Sequence, residues 1–184
     1  MKFIKHYELE GKHAFFSPSK YHWIRYSDEK ILESYKKFKA IEHGTKIHSL
    51  ASALIEERQK LPDERKTLNM FVNDAINFHM ETEQALKYSD LAFGHADAIC
   101  FRNNTLRIHD LKTGENKTHM EQLMTYAAFF CLEYKVKPTE IKIILRIYQN
   151  NEILELEPDP DDIVHIMDRT ITGNKIIFSY IEQE

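Results

Sequence analysis

The chain has 184 residues, 42% hydrophobic and 29% charged, with a formal net charge of -4. That length can bury a core around a sheet of several strands, so we interpret residues 1–184 as a single domain. No apolar run approaches the roughly 20 residues needed to cross a bilayer, which excludes a membrane-spanning protein and predicts no membrane partner. The first residues, MKFIKHYELEGKH, lack the pattern of a secretory signal, so the expected location is the cytoplasm.

The chain contains two cysteines, Cys100 and Cys131, which form no C-x-x-C pair. This predicts no disulfide framework, zinc knuckle or iron–sulfur cluster. The negative net charge argues against a surface that is positive throughout. It still permits a local groove for a polyanion.

The first third of the chain has the start and stop signals of helices. Ser17-Pro18 predicts one helix start, and Ser27 followed by two acids predicts a second. Gly44-Thr45 predicts an interruption and restart, and Leu61-Pro62 predicts the end of the third helix. We therefore expect a helical N-terminal segment.

After a helical stretch around residues 67–80, the apolar pattern changes to short segments rich in strand formers. Residues 118–134 return to helical spacing. Two further strands are predicted across Asn150-Asn151, and Asp159-Pro160 opens a last helix. The fold class is thus α/β or α+β, with a central mixed sheet of about five strands flanked by helices.

The segment 94–114, GHADAICFRNNTLRIHDLKTG, places two carboxylates in predicted strand positions of one hairpin. Asn103-Asn104 suits a two-residue turn, because asparagine tolerates the positive φ that such turns require. In that register Asp97 faces Asp110, and Lys112 flanks the pair.

Facing carboxylates about 5 Å apart repel each other unless a cation lies between them. Oxygen ligands suit Mg²⁺ or Mn²⁺, and a neighbouring ammonium can stabilise charge that develops on a phosphate. Metal and amine together predict phosphodiester chemistry. The alternative is a solvent-facing acid pair with Lys112 as its salt-bridge partner.

Four short pieces in this order, GTKIH (44–48), GHAD (94–97), DLK (110–112) and EQLMTY (121–126), resemble the PD-(D/E)XK nucleases. The resemblance is to the RecB-like branch, which includes phage-lambda-type and CRISPR-associated exonucleases, and it spans residues 17–148. It implies a restriction-endonuclease-like fold and a stand-alone, phage-type nuclease in a bacterial or phage-infected cell. The cysteine cluster of the CRISPR-associated members is absent, and the second acid is Asp where many relatives have Glu.

The resemblance also implies roles for individual residues. The metal ligands would come from one helix and two strands: His48, Asp97, Asp110 and the Leu111 carbonyl. Lys112 would be the catalytic lysine. Gln122 and Tyr126, on one helix face, would support it. An additional acid is expected on the preceding strand, at Glu83 or Glu81. For His48 the alternative is a core histidine, and for the helix pair it is an ordinary surface position.

The segment SPSKYHWIRYSDEK (17–30) interleaves aromatic and basic side chains, as in platforms on which bases stack beside a phosphate groove. Tyr21, Trp23 and Arg25 are therefore candidate DNA contacts. The alternative is that these aromatic side chains are part of the core.

The predicted function is a Mg²⁺- or Mn²⁺-dependent deoxyribonuclease, expected to act as an exonuclease in DNA recombination, repair or processing. Its partner would be single- or double-stranded DNA, and a homo-oligomer or a recombination partner protein is compatible with this role. The first alternative is a catalytically silent nucleic-acid-binding or assembly module with the same fold. The second is a small-molecule metal hydrolase, which would require a closed pocket.

Overall fold

The structure is a computed structural model that describes residues 14–115 and 118–182, without the side chains of residues 19–21. The chain divides into two units, Met1–Thr45 and Lys46–Glu184. The first contains a 3₁₀ helix, Pro18–Arg25, which begins at the predicted Ser17. No helix in the described ranges is both long enough and apolar enough to cross a membrane.

Helix α1 spans Asp28–Glu56. Its predicted start is confirmed, because the Ser27 hydroxyl accepts the N–H of Lys30 at 3.3 Å. The predicted interruption at Gly44-Thr45 is wrong. The threonine hydroxyl donates back to the carbonyl of Ile41 at 3.1 Å and is satisfied inside the helix, and one helical glycine costs only about 1 kcal/mol relative to alanine.

The predicted end of this helix at Leu61-Pro62 is also wrong, because α1 stops at Glu56. Arg58 has a φ of 55°, and two backbone bonds close the helix end: Arg58 N–H to the Ile55 carbonyl at 3.1 Å, and Gln59 N–H to the Leu54 carbonyl at 2.8 Å. This is a Schellman ending formed without glycine. No proline is needed to stop the helix.

In the second unit, the predicted α+β class with a mixed sheet is confirmed. Five strands form one sheet in the order β1-β2-β3-β4-β5, parallel between β3 and β4 and antiparallel elsewhere. The strands are β1 Glu81–Ser89, β2 Ala92–Arg102, β3 Thr105–Leu111, β4 Lys142–Gln149 and β5 Glu152–Leu156. Both predicted asparagine turns are present, with positive φ at all four of their residues, 103, 104, 150 and 151.

The remaining helices are α2 Thr67–Asn77, α3 Glu121–Tyr134 and α4 Pro160–Ile181, with a short 3₁₀ turn at Pro138–Glu140. The Asp159 side chain caps α4 by accepting the N–H of Asp161 at 2.9 Å, as predicted. One core cluster packs α3 and α4 against the sheet, and a second packs α2 and the end of α1. The sheet therefore has an apolar layer on each face.

Candidate metal centre

The two aspartates of the hairpin lie where the pairing of β2 and β3 ends. The ladder has the predicted register, and its last pair is Ala98 with His109. One step further, Asp97 Oδ2 accepts the N–H of Leu111 at 2.8 Å. The carboxylate thus satisfies a β3 backbone donor beside Asp110, just beyond the last pair of the ladder.

The Asp110 side chain is almost fully buried, and the residue is 4% exposed. The Lys112 ammonium lies 3.1 Å from its Oδ1 and 2.9 Å from its Oδ2. Only the Oδ1 contact has hydrogen-bond geometry, so among the described residues Oδ2 has no hydrogen-bond partner. Burial, reinforced by the charge of Asp97, raises the pKa of Asp110 above its usual range.

Lys112 is held from two sides. Its ammonium donates to Gln122 Oε1 on α3 at 2.9 Å, and its backbone N–H donates to the Tyr148 carbonyl of β4 at 2.9 Å. Gln122 and Tyr126 lie one turn apart on α3. Burial raises the pKa of the Tyr126 hydroxyl. Of the predicted helix pair, Gln122 contacts the lysine, and a supporting role for Tyr126 stays a prediction.

Gly94 allows this helix to approach the sheet. A Cβ at this position would lie 2.8 Å from the Tyr126 ring, closer than real Cβ contacts. A glycine inside a strand signals a close approach of this kind. The glycine of GHAD is thus a sequence signal for the close approach of α3.

His48 reaches the same place from α1. Its Nδ1 lies 3.4 Å from Asp97 Oδ2, and the hydrogen bond to this carboxylate raises the pKa of the imidazole. One ligand atom from each of His48, Glu83 and Asp97 lies within 4.8 Å of the others. Of the two expected acids, Glu83 is the one in this group, whereas Glu81 pairs with Ile99 and lines an apolar cavity.

A hydrogen-bonded triangle not predicted from sequence joins α1 to β1 beside these ligands. The Ser52 hydroxyl donates to the Thr82 hydroxyl at 2.8 Å, which in turn donates to Glu56 Oε1 at 2.9 Å, and Ser52 Oγ also lies 3.1 Å from the same carboxylate oxygen. Ser52 lies one turn after His48, and Thr82 directly precedes Glu83. The triangle therefore fixes the two elements that carry these ligands, and only their spatial contact could have revealed it.

The donor set fits a divalent cation. One imidazole and two carboxylates, on His48, Glu83 and Asp97, each place a ligand atom within 4.8 Å of the others, and one buried carboxylate oxygen, on Asp110, is without a hydrogen-bond partner in the described part of the chain. Oxygen-rich sites of this kind suit Mg²⁺ or Mn²⁺, and Mn²⁺ accepts an imidazole ligand more readily than Mg²⁺ does. His48, Glu83, Asp97 and Asp110 are the side chains that would hold such an ion. Leu111 ends β3 next to them, and a role for its carbonyl stays a prediction.

The candidate DNA contacts lie in the first unit. Trp23 packs its ring 4.8 Å from the ring of Phe16, and its indole N–H donates to the Ser17 carbonyl at 3.2 Å. Arg25 is exposed at the end of the 3₁₀ helix, and the side chain of Tyr21 lies outside the described residues. Trp23 is half-buried and belongs to neither core cluster, so a core role is not shown for it, and DNA contact by these residues stays a prediction.

Comparison with known proteins gives no relatives. No protein-family model matches the chain, and neither a curated protein nor a solved structure matches it.

Proposed function

We propose that this chain is a metal-dependent deoxyribonuclease with a restriction-endonuclease-like fold, related to the RecB-like PD-(D/E)XK nucleases. The observation that carries the proposal is the convergence of Asp97, Asp110 and Lys112 at the open end of one hairpin, with His48 and Glu83 beside them. A surface acid pair bridged by a lysine would not need a carboxylate as deeply buried as that of Asp110, which is 4% exposed.

Each residue has a task that follows from its position. Asp97, Asp110, His48 and Glu83 would hold the cation, which when bound supplies an activated water and polarises the scissile phosphate. Lys112 presents an ammonium whose position is fixed by Asp110 and Gln122. A preorganised cation of this kind stabilises the negative charge that grows on the phosphate in the transition state.

The expected substrate is DNA, cleaved from an end. The exonuclease assignment and any role in recombination or repair derive from the sequence resemblance. Phosphodiester cleavage is the part of the proposal that rests on chemistry alone. A metal ion and an ammonium together match the negative charge of a phosphodiester better than a neutral substrate.

The test is cleavage of end-labelled linear and circular DNA by the purified protein with Mn²⁺ or Mg²⁺. We expect loss of the linear substrate, no reaction in EDTA, and activity at least about 10²-fold lower in Lys112→Ala. Lys175→Ala is the matched control, because Lys175 is an exposed lysine of α4. Metal-independent cleavage, or equal activity in Lys112→Ala and the control, would overturn the proposal. DNA binding without any cleavage would favour the catalytically silent module.

A further inference from the structure

A second polar cavity lies at the other end of the same hairpin. Its volume is about 260 Å³, and it opens beside the Asn103-Asn104 turn, between that turn and the residues that follow α2. Arg107 in this cavity and Lys112 in the metal centre are five residues apart, roughly 16 Å at about 3.3 Å per strand residue. The cavity is therefore separate from the metal centre.

Two arginines share this cavity. Cys100 pairs with Arg107 and Arg102 with Thr105, so the period of two places all four on one face of the hairpin. The guanidinium groups sit on diagonal positions, where side chains are roughly 7–8 Å apart at their bases. Both act electrostatically on the Cys100 thiol between them.

Nothing in the described part of the chain neutralises this pair. None of the described residues that line the cavity is acidic, and neither arginine makes an ion pair with a described carboxylate. The other arginine of this sheet face, Arg146, does have such partners, Asp74 at 2.9 Å and Glu155 at 2.6 Å. The two cavity arginines are thus an uncompensated positive pair.

Arg107 is also held in a fixed orientation. Its guanidinium carbon lies over the Phe78 ring, 4.2 Å from the ring centre, which is a cation–π contact. Stacking leaves the in-plane N–H donors at the edge of the guanidinium, and these are the donors that bind the oxygens of a phosphate in pairs. The cavity therefore has the charge and the donor geometry of an oxyanion site.

We propose that this cavity binds a phosphate group, held by Arg102 and Arg107. The phosphate belongs either to a free phosphate compound or to the backbone of a nucleic acid. Only the second source rests on the proposed function. In that case a nucleic-acid strand bound at the metal centre would also be held at this cavity, about 16 Å from Lys112 at about 3.3 Å per strand residue. The site binds its ligand without metal and without turnover.

Cys100 provides the readout. It lines the cavity and is partly exposed, whereas Cys131 is buried and serves as the unreactive internal reference. We would measure the rate at which a thiol-alkylating reagent modifies Cys100 in EDTA. The measurement is repeated with inorganic phosphate and with a short DNA duplex, each against chloride at equal ionic strength.

The variants are Arg102→Gln and Arg107→Gln, with Arg169→Gln on α4 as control, because Arg169 is exposed and the charge change is the same. We expect protection of Cys100 in the wild type and the control, and at least about tenfold weaker binding in either cavity variant, since a charged hydrogen bond contributes about 1.5–3 kcal/mol. Protection by inorganic phosphate supports a free phosphate ligand. Protection by DNA alone supports the nucleic-acid backbone.

Absence of protection by both probes would overturn the proposal, and so would equal loss in the control variant. Arg102→Gln keeps the test valid if Arg107→Gln does not fold, because Arg102 is exposed and is not stacked on Phe78. Because the assay runs in EDTA, its failure is distinct from failure of the nuclease assay.

Discussion

His109 and Asp110 are neighbours in β3, and their side chains enter opposite faces of the sheet, because strand residues alternate. Both residues are buried, at 0% and 4% exposure. His109 Nδ1 lies 3.2 Å from the Tyr148 hydroxyl, which in turn donates to Asp74 Oδ2 at 2.7 Å. Asp110 contacts the ammonium of Lys112. The face of His109 therefore carries a chain of hydrogen-bonded side chains, whereas on the other face the Asp110 carboxylate contacts one ammonium.

The two faces leave different groups without a hydrogen-bond partner. On the first, Arg146 neutralises Asp74 at 2.9 Å, and burial together with Arg146 and Arg107 lowers the pKa of His109 to about 3, so the imidazole is neutral. Among the described atoms, that face leaves only a neutral lone pair, His109 Nε2. The second leaves Asp110 Oδ2, part of a charged group. A buried charge is far more costly than a neutral lone pair, and the Lys112 ammonium, 2.9 Å from Asp110 Oδ2, offsets part of that cost. Because Asp97 adds a second negative charge beside Asp110, a further cation would stabilise the second face and not the first.

The largest expected effect that distinguishes the two faces of the sheet is on DNA cleavage. We expect Asp110→Ala to remove both metal binding and DNA cleavage, because it removes a ligand. Lys112→Ala should reduce cleavage by about 10²–10³-fold or more while metal binding is largely kept, because it removes charge stabilisation. Titration with Mn²⁺ in a calorimeter separates the two.

Asp168→Ala is the control for the first change, since Asp168 is an exposed carboxylate of α4. Equal loss of Mn²⁺ binding in the lysine and aspartate variants would contradict this division of roles.

A change on the other face should affect stability alone. Tyr148→Phe removes the hydroxyl between Asp74 and His109 and leaves the buried imidazole N–H without an acceptor. We expect the free energy of unfolding to fall by about 1–3 kcal/mol, with Mn²⁺ affinity unchanged. Urea unfolding in EDTA measures the first quantity and calorimetry the second. Tyr134→Phe, at an exposed tyrosine, should change neither. Loss of Mn²⁺ affinity in Tyr148→Phe would show that the two faces are not independent.

The hairpin that carries Asp97 and Asp110 could be predicted in large part from the sequence. Asn103-Asn104 determines the turn, the turn determines the register, and the register brings Asp97 to the end of the β3 strand that carries Asp110. These steps involve residues close in sequence, for which local rules hold. The ladder's end at Ala98 could not be predicted, because it depends on a side chain replacing a backbone partner.

The His109 side could not be predicted. Asp74 comes from α2 and Tyr148 from β4, more than thirty residues away from His109 on either side, and no local pattern relates them. The errors in α1 have the opposite origin. Gly44-Thr45 and Leu61-Pro62 are genuine local signals, but a helix of 29 residues tolerates a glycine, and backbone geometry at Arg58 ended it earlier.

The free energy of unfolding should fall in acid, because the buried His109 imidazole is neutral in the folded chain. His109 has a pKa of about 3 in the folded chain and about 6.5 when unfolded, so the unfolded state binds more protons between these values. Stability contributed by the neutral form is therefore complete above pH 6.5 and is lost as pH falls towards 3. We expect His109→Gln to flatten the pH dependence of unfolding in this window by up to about 1.4 kcal/mol per pH unit. Urea unfolding in EDTA from pH 4 to 7 measures the slope, with the exposed His165→Gln as control. An unchanged slope would mean that His109 is protonated in the fold.

The smallest expected effect concerns Asp97, whose charge contributes to the raised pKa of Asp110. Asp97→Asn keeps an oxygen that can accept the Leu111 N–H but removes the repulsion, so metal-free stability should equal that of the wild type or exceed it by up to about 1 kcal/mol. Asp97→Ala is the matched variant that also loses this acceptor, and it should be less stable by about 1–3 kcal/mol.

Mn²⁺ at a hundred times its dissociation constant should stabilise the wild type by about 2.7 kcal/mol and Asp97→Asn far less. Thermal melts with and without Mn²⁺ measure both quantities. A wild type that does not respond to metal, together with an Asp97→Asn variant less stable than the wild type, would mean that this carboxylate neither repels Asp110 nor binds a cation.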